Sequence, residues 1–192
     1  MLDKLIATDL QLFLFFNGMH ADWADVVMYW LSDKFIWIPL YAWLLYKMLK
    51  SDLSNALWLI LAIILLVVLT DQVSVHLFKD IFHRLRPCHN PALSGLVRTL
   101  HGKCGGQFGF ISSHACNTAG IAVFTGLILK KAGIKFILPL LLLWSAAVSY
   151  SRIYLGVHYP GDVAVGFAVG AIIGWVVYII YQRVSAPRVT RN

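Results

Sequence analysis

The sequence predicts an all-α integral membrane protein of about five transmembrane helices with an interfacial helix at its N-terminus. Three observations carry that prediction. Of the 192 residues, 59% are hydrophobic and 13% are charged, where a soluble domain carries roughly a quarter charged residues. Mean hydropathy is +0.74. The charges gather at the ends of long apolar runs rather than spreading through them. The net charge of +7 therefore reads as lysines and arginines facing headgroups and cytoplasm, and nucleic acid is not expected as a partner. No internal repeat, low-complexity tract or long linker divides the chain, so residues 1–192 are read as a single domain.

In chain order, residues 2–17 predict a short amphipathic helix lying at the membrane interface, because the apolar run is shorter than the roughly 20 residues a crossing needs. It does not read as a secretory signal: Asp3 and Asp9 oppose a single Lys4 where a positive leader is required. Residues 22–34 read as an approach helix or the wet start of the first span, which runs to about Met48 with Pro39 as a kink. Leu53–Thr70 contains no charge and continues helically towards Lys79. A third span runs from Ser112 to Leu129, a fourth from Ala132 to Ser151 and a fifth from Asp162 to Tyr181. Lys47, Lys50, Lys130, Lys131, Lys135, Arg183, Arg188 and Arg191 then share one face, cytoplasmic by the positive-inside rule. Gly166, Gly170 and Gly174 repeat every four residues and favour close helix packing within a monomer, with a homodimer face as the alternative.

The remaining polar groups concentrate in residues 79–162. Lys79 and Arg86 lie seven apart, two helical turns, and are expected on one helix face ending at Pro87. Ser112 and Ser113 open the third span as a cap whose free N–H groups suit an anion, and His114 follows at membrane depth, where ionisable groups are costly. Arg152 ends the fourth span. His158 and Asp162 are four apart, so the carboxylate is expected to accept the Nδ1–H proton and leave Nε2 as nucleophile. Each feature has an ordinary structural explanation alone: interfacial anchors, a helix cap, a structural His–Asp pair. Between them, Cys88 and Cys104 lie in the long connection. A disulfide is favoured over a zinc site of Cys88, His89, His101 and Cys104, whose spacing fits no common zinc motif. Cys116 reads as a buried small residue.

Lys79-x6-Arg86-Pro87, Ser112-Ser113-His114 and Ser151-Arg152-x5-His158-x3-Asp162 together resemble the three signature motifs of the type 2 phosphatidic acid phosphatase (PAP2) family, which includes the vanadium haloperoxidases. The second motif departs: the family usually has Pro-Ser-Gly-His, and this chain has Ile111-Ser112-Ser113-His114. The resemblance implies a PAP2-like helical bundle with no cofactor and no metal. His158 would form a phosphohistidine, Asp162 would orient it, and His114 would protonate the leaving oxygen and then activate water. Lys79, Arg86, Arg152, Ser112 and Ser113 would bind the phosphoryl group. The implied substrate is a membrane lipid phosphate, such as lipid A, undecaprenyl diphosphate or phosphatidylglycerol phosphate, hydrolysed on the exoplasmic face of the inner membrane. His89, Arg98, His101 and Lys103 in the connection are expected to grip a large anionic headgroup. The alternatives are a vanadate-dependent haloperoxidase, or a lipid-phosphate binding or transport protein without turnover.

Overall fold

The computed structural model describes residues 2–185. Arg188 and Arg191, counted above in the orientation argument, lie outside the described residues. Seven helices make up the chain there: α1 (Leu2–Gly18), α2 (Asp22–Ser32), α3 (Ile38–Ser51), α4 (Leu53–Phe82), α5 (Ser113–Lys131), α6 (Ile137–Tyr154) and α7 (Pro160–Ser185). Among the described residues the single β-type contact is an isolated bridge between Leu85 and Phe108.

Three helices, α4, α6 and α7, are long and apolar enough to cross a membrane. Their outward residues are apolar: Leu57, Ile64, Leu143, Ile172 and Trp175 are all exposed, as suits side chains solvated by lipid. Of the two readings of residues 22–34, the structure matches the approach helix. Helix α2 ends at Ser32 and α3 starts at Ile38, and Pro39 sits in the first turn of α3 instead of kinking a helix. Proline fits there because the first N–H groups of a helix have no intrahelical partner.

Helix α5 is the centre of the bundle, with Ala115, Cys116, Ala119, Gly120, Ala122 and Phe124 buried along it. Its small residues let α7 approach closely. A Cβ placed on Gly166 would come 2.7 Å from the Ser112 carbonyl oxygen, and one on Gly170 would overlap the Cys116 carbonyl. The glycine repeat is thus spent inside the monomer. The core between α3, α4, α5, α6 and α7 contains Leu44, Leu59, Leu66, Phe124, Leu141 and Val177.

The two ends of the bundle differ. At one end Tyr181 donates to Asp52 Oδ2 at 2.6 Å and Lys131 donates to Gln182, bringing together the ends of α3, α5 and α7 that carry the cations outside the motifs. At the other end the start of α5, the end of α6 and the start of α7 meet beneath the connection between α4 and α5. There Phe13 and Asn17 of α1 are buried. Asn17 Nδ2 donates to the Arg98 and Tyr154 carbonyls at 2.9 and 2.8 Å, so α1 is packed into this end and not merely laid upon it.

Candidate active site

Five separate local structures deliver the motif residues to one place. Towards its end α4 widens into a π-helical stretch over Val73–Lys79, and the chain leaves the helix through His83 at φ 46°. Such widenings are frequent at functional sites. This early exit overturns the expected common helix face for Lys79 and Arg86. Lys79 remains on the helix, whereas Arg86 arrives on an extended segment tied to the far side of the connection by Gly109 N–H to Arg84 O at 2.8 Å and Arg86 N–H to Gln107 O at 3.0 Å. Gly109 is needed for this approach. A Cβ there would lie 3.1 Å from Arg86 Cγ and 3.2 Å from Asp162 Oδ2.

Ser112 caps α5, its Oγ accepting from Ala115 N–H at 3.4 Å, and its own N–H donates to Asp162 O at 3.0 Å. That last bond ties the start of α5 to the start of α7. Ser113 Oγ accepts from Lys79 Nζ at 2.6 Å and shares a hydrogen bond of 2.7 Å with Ser74 Oγ. The serine at the family's glycine position therefore holds Lys79 directly. His114 follows half-buried, within electrostatic reach of Arg86, Arg152 and His158. Arg152 O accepts from the N–H groups of Val157 and His158 at 3.1 and 3.3 Å, a turn that folds the histidine back beside the arginine. Arg152 Nη1 donates to Ser32 Oγ of α2.

His158 is 1% exposed and Asp162 is fully buried. Arg86 Nη1 lies 3.0 Å from His158 Nε2 and 3.2 Å from Val157 O. A guanidinium can only donate, so Nε2 carries the lone pair and Nδ1 the proton. Nδ1 sits 3.4 Å from Asp162 Oδ2 without a well-formed hydrogen bond, looser than the i, i+4 spacing led one to expect. The Asp162 carboxylate is anchored elsewhere, accepting from Arg84 Nη1 at 2.6 Å and Tyr159 N–H at 3.0 Å. Burial, and then the positive Arg86, Arg152 and Lys79, hold His158 well below the ordinary imidazole range. The ring stays neutral and keeps its lone pair.

The cations of the pocket have no carboxylate partners. Among the described residues Lys79, Arg86 and Arg152 form no salt bridge with Asp or Glu, and the buried Nε atoms of Arg86 and Arg152 have no acceptor. Unpaired buried donors are uncommon in folded proteins. A cavity of about 250 Å³ bordered by Tyr29, Ser32, Asp33 and Lys103 meets this cluster at Arg152.

The connection is braced from both sides. Cys88 and Cys104 form a disulfide with Cα atoms 6.0 Å apart, so neither thiolate is left to hold zinc. Arg98 is not free for a headgroup, because both of its terminal nitrogens bind the Asp25 carboxylate of α2. His89 Nε2 lies 3.0 Å from Gly105 O, Lys103 Nζ donates to Tyr29 OH at 2.9 Å, and His101 packs edge-on against Tyr29. Of the four expected headgroup residues, Lys103 alone borders the cavity. The sequence reading had assigned no role to Arg84, Asp9, Ser32 or Ser74, all of which touch the site or its neighbours. Asp9, a carboxylate midway along a helix whose other acid, Asp3, sits in the first turn, was the visible signal.

With this arrangement in view, comparison with known proteins is direct. The model of the PAP2 superfamily matches residues 55–186. The chain is 38% identical over 189 residues to the lipid A 4'-phosphatase of Bacteroides thetaiotaomicron, covering 97% of this chain and 82% of that one. It is 37% identical to the lipid A 4'-phosphatase of Porphyromonas gingivalis, covering 94% and 75%. In structure it resembles the transmembrane PAP2-type phosphatidylglycerolphosphate phosphatase of Bacillus subtilis, with a TM-score of 0.76 at 20% identity over 96% of this chain and 90% of that one. The chain belongs to the PAP2 superfamily. It is a membrane protein and a phosphatase of that class, a hydrolase of phosphoester bonds.

Proposed function

We propose that the chain is a metal-independent lipid phosphatase acting through a phosphohistidine on His158. The observation that carries this reading is the cluster of Lys79, Arg86 and Arg152, unpaired with carboxylates, around the lone-pair nitrogen of a neutral buried histidine. A phosphoryl group would satisfy the free arginine donors and draw Arg86 off Nε2, opening the nitrogen for in-line attack. The three cations then stabilise charge on the equatorial oxygens, joined by the Ser112 and Ser113 hydroxyls or backbone donors. His114 protonates the leaving oxygen, then activates the water that releases phosphate. Asp162 holds the Nδ1–H side of His158 and stabilises its imidazolium.

The same reading takes the chain as one PAP2-like domain of five spans in the inner membrane. Helices α4, α6 and α7 are joined by α5 and by the broken α2–α3 unit, with the site on the exoplasmic, periplasmic side. The substrate favoured is lipid A, on the strength of two relatives of that name that match nearly the whole chain. Undecaprenyl diphosphate stands second, supported by a 27% identical undecaprenyl-diphosphatase of Sulfolobus acidocaldarius.

The test is phosphate release by protein purified in detergent with EDTA present, offered lipid A, undecaprenyl diphosphate, phosphatidylglycerol phosphate and phosphatidic acid in parallel. Wild type is expected to act fastest on lipid A, and His158→Ala to lose at least about 10⁴-fold in kcat. Undiminished release by His158→Ala would sink the histidine mechanism, and a different rate order would reassign the substrate.

A further inference from the structure

Arg84 lies on the extended segment two residues before Arg86, yet it points away from the phosphate cluster. Its Nη1 donates to Asp162 Oδ1 at 2.6 Å and its Nη2 to Asp9 Oδ2 at 2.6 Å. The other oxygen of Asp9 accepts from Gly161 N–H at 2.7 Å, one residue before Asp162. A Cβ on Gly161 would come within 2.9 Å of Asp9 Oδ2. The guanidinium also stacks 4.0 Å from the Tyr159 ring centroid, and Phe13 of α1 packs edge-on against that ring at 5.3 Å. The side chains of Arg84, Asp9 and Asp162 are 28%, 15% and 0% exposed, so the chain of contacts runs from the rim of the protein into its interior.

The geometry points to Asp9 and Arg84 as positioning residues for His158: α1 and the connection clamp the Asp162 carboxylate, which faces the imidazole Nδ1 at 3.4 Å. The inference rests on His158 being the nucleophile. Asp162 has no freedom to choose its own orientation. One oxygen is directed by Arg84, the other by Tyr159 N–H, and the latter is the oxygen facing His158 Nδ1. Take Arg84 away and a fully buried carboxylate loses its one salt-bridged arginine, a costly state that structures relax by moving. Asp9 has two tasks. It holds the free end of Arg84, keeping the guanidinium plane on Asp162, and it pins the first turn of α7 through Gly161. Lysine cannot replace Arg84, because a single ammonium lacks the planar fork that spans two carboxylates. Neither Asp9 nor Arg84 touches the place where phosphate would sit, so their effect should fall on turnover rather than on binding.

The experiment measures kcat and KM with the best lipid substrate for Arg84→Met, Arg84→Lys and Asp9→Asn, each also built on Asp162→Asn, with His158→Ala alongside. For Arg84→Met the expected result is a loss of about 100-fold in kcat with KM within about threefold; for Arg84→Lys, a loss of at least about tenfold; for Asp9→Asn, about tenfold. On the Asp162→Asn background Arg84→Met should change kcat by less than about threefold, because residues acting in one chain are not additive. A purely structural arginine would instead lower Tm and subtract its full effect on either background, and that outcome overturns the proposal. So does a rise in KM at unchanged kcat, which would make Arg84 a phosphate ligand. Asp9→Asn keeps its shape and should fold even where Arg84→Met does not; unaltered kcat in folded Asp9→Asn is equally fatal. Retained activity in His158→Ala would mark failure of the nucleophile assignment itself, a result separable from these.

Discussion

Arginines occur in two settings at this end of the molecule. In the pocket, Arg86 and Arg152 meet a histidine nitrogen, a backbone carbonyl and a serine hydroxyl, and each keeps a buried Nε without an acceptor. On the rim, Arg84 is held between Asp9 and Asp162, and Arg98 is gripped by Asp25. The residue type is the same and the surroundings are opposite. A cation withdrawn from water without a counter-ion is costly to the folded state. On the proposed reading the unpaired ones await an anion from outside. The paired ones hold helices and connection together. Binding and bracing would then be divided between neighbouring arginines, in one case only two residues apart in sequence.

That division can be broken by substitution. The largest effect is expected in the pocket: Arg86→Met or Arg152→Met should lower kcat/KM by about 10²–10³-fold, while the Tm of the ligand-free protein stays level or rises. Both variants should also lose the gain in Tm that phosphate or vanadate confers on wild type by binding the native state. A fall in Tm as large as that of Arg98→Met would erase the distinction. Next comes the connection itself. Reducing the Cys88–Cys104 bond, which closes a sequence separation of 16 residues, should cost about 3 kcal/mol of stability, read as a shift in the unfolding transition with dithiothreitol.

The smallest effect belongs to Arg98, the rim arginine that does not touch Asp162. Arg98→Met should cost about 1 kcal/mol, as for a partly exposed charged hydrogen bond, with kcat/KM within threefold. The hydrogen bond from Arg98, followed by that from Tyr154, lowers the Asp25 pKa from 3.8 to about 2. A depressed carboxylate contributes stability that is present above its unfolded value and is lost as pH falls through the folded one. The advantage of wild type over Asp25→Asn should therefore be constant at neutral pH and fade between about pH 4 and 2. Persistence of the whole difference at pH 2 would mean that packing and not charge is what Asp25 supplies.

Much of the site could be read in advance where the relevant signal is local. Ser112 caps α5 and Pro160 opens α7, because caps and first-turn prolines depend on a few neighbouring residues. Lys79 and Arg86 were misplaced on one helix face because periodicity continues a helix until something stops it. What stops this one is His83 at φ 46°, followed by pairing of the segment at 84–86 with the segment at 107–109. The break between α2 and α3, by contrast, was marked locally by Asp33 and Lys34, which allow residues 22–34 to be read as a separate approach helix. Arg84 had no assignable role, since its partners Asp9 and Asp162 lie 75 and 78 residues away in the chain.

The sequence by itself determined that this is a helical membrane protein, that its polar groups collect in three motifs, and which family those motifs mark. All of these rest on composition and short spacings, which act through the solvent and through a turn or two of backbone. Only the tertiary structure decided which cations stay unpaired, and that a helix at the N-terminus reaches the carboxylate behind His158 through Asp9 and Arg84. Those are long-range properties. A buried charge takes its meaning from whatever the fold brings within 3 Å, and in this protein most of those partners come from distant parts of the chain.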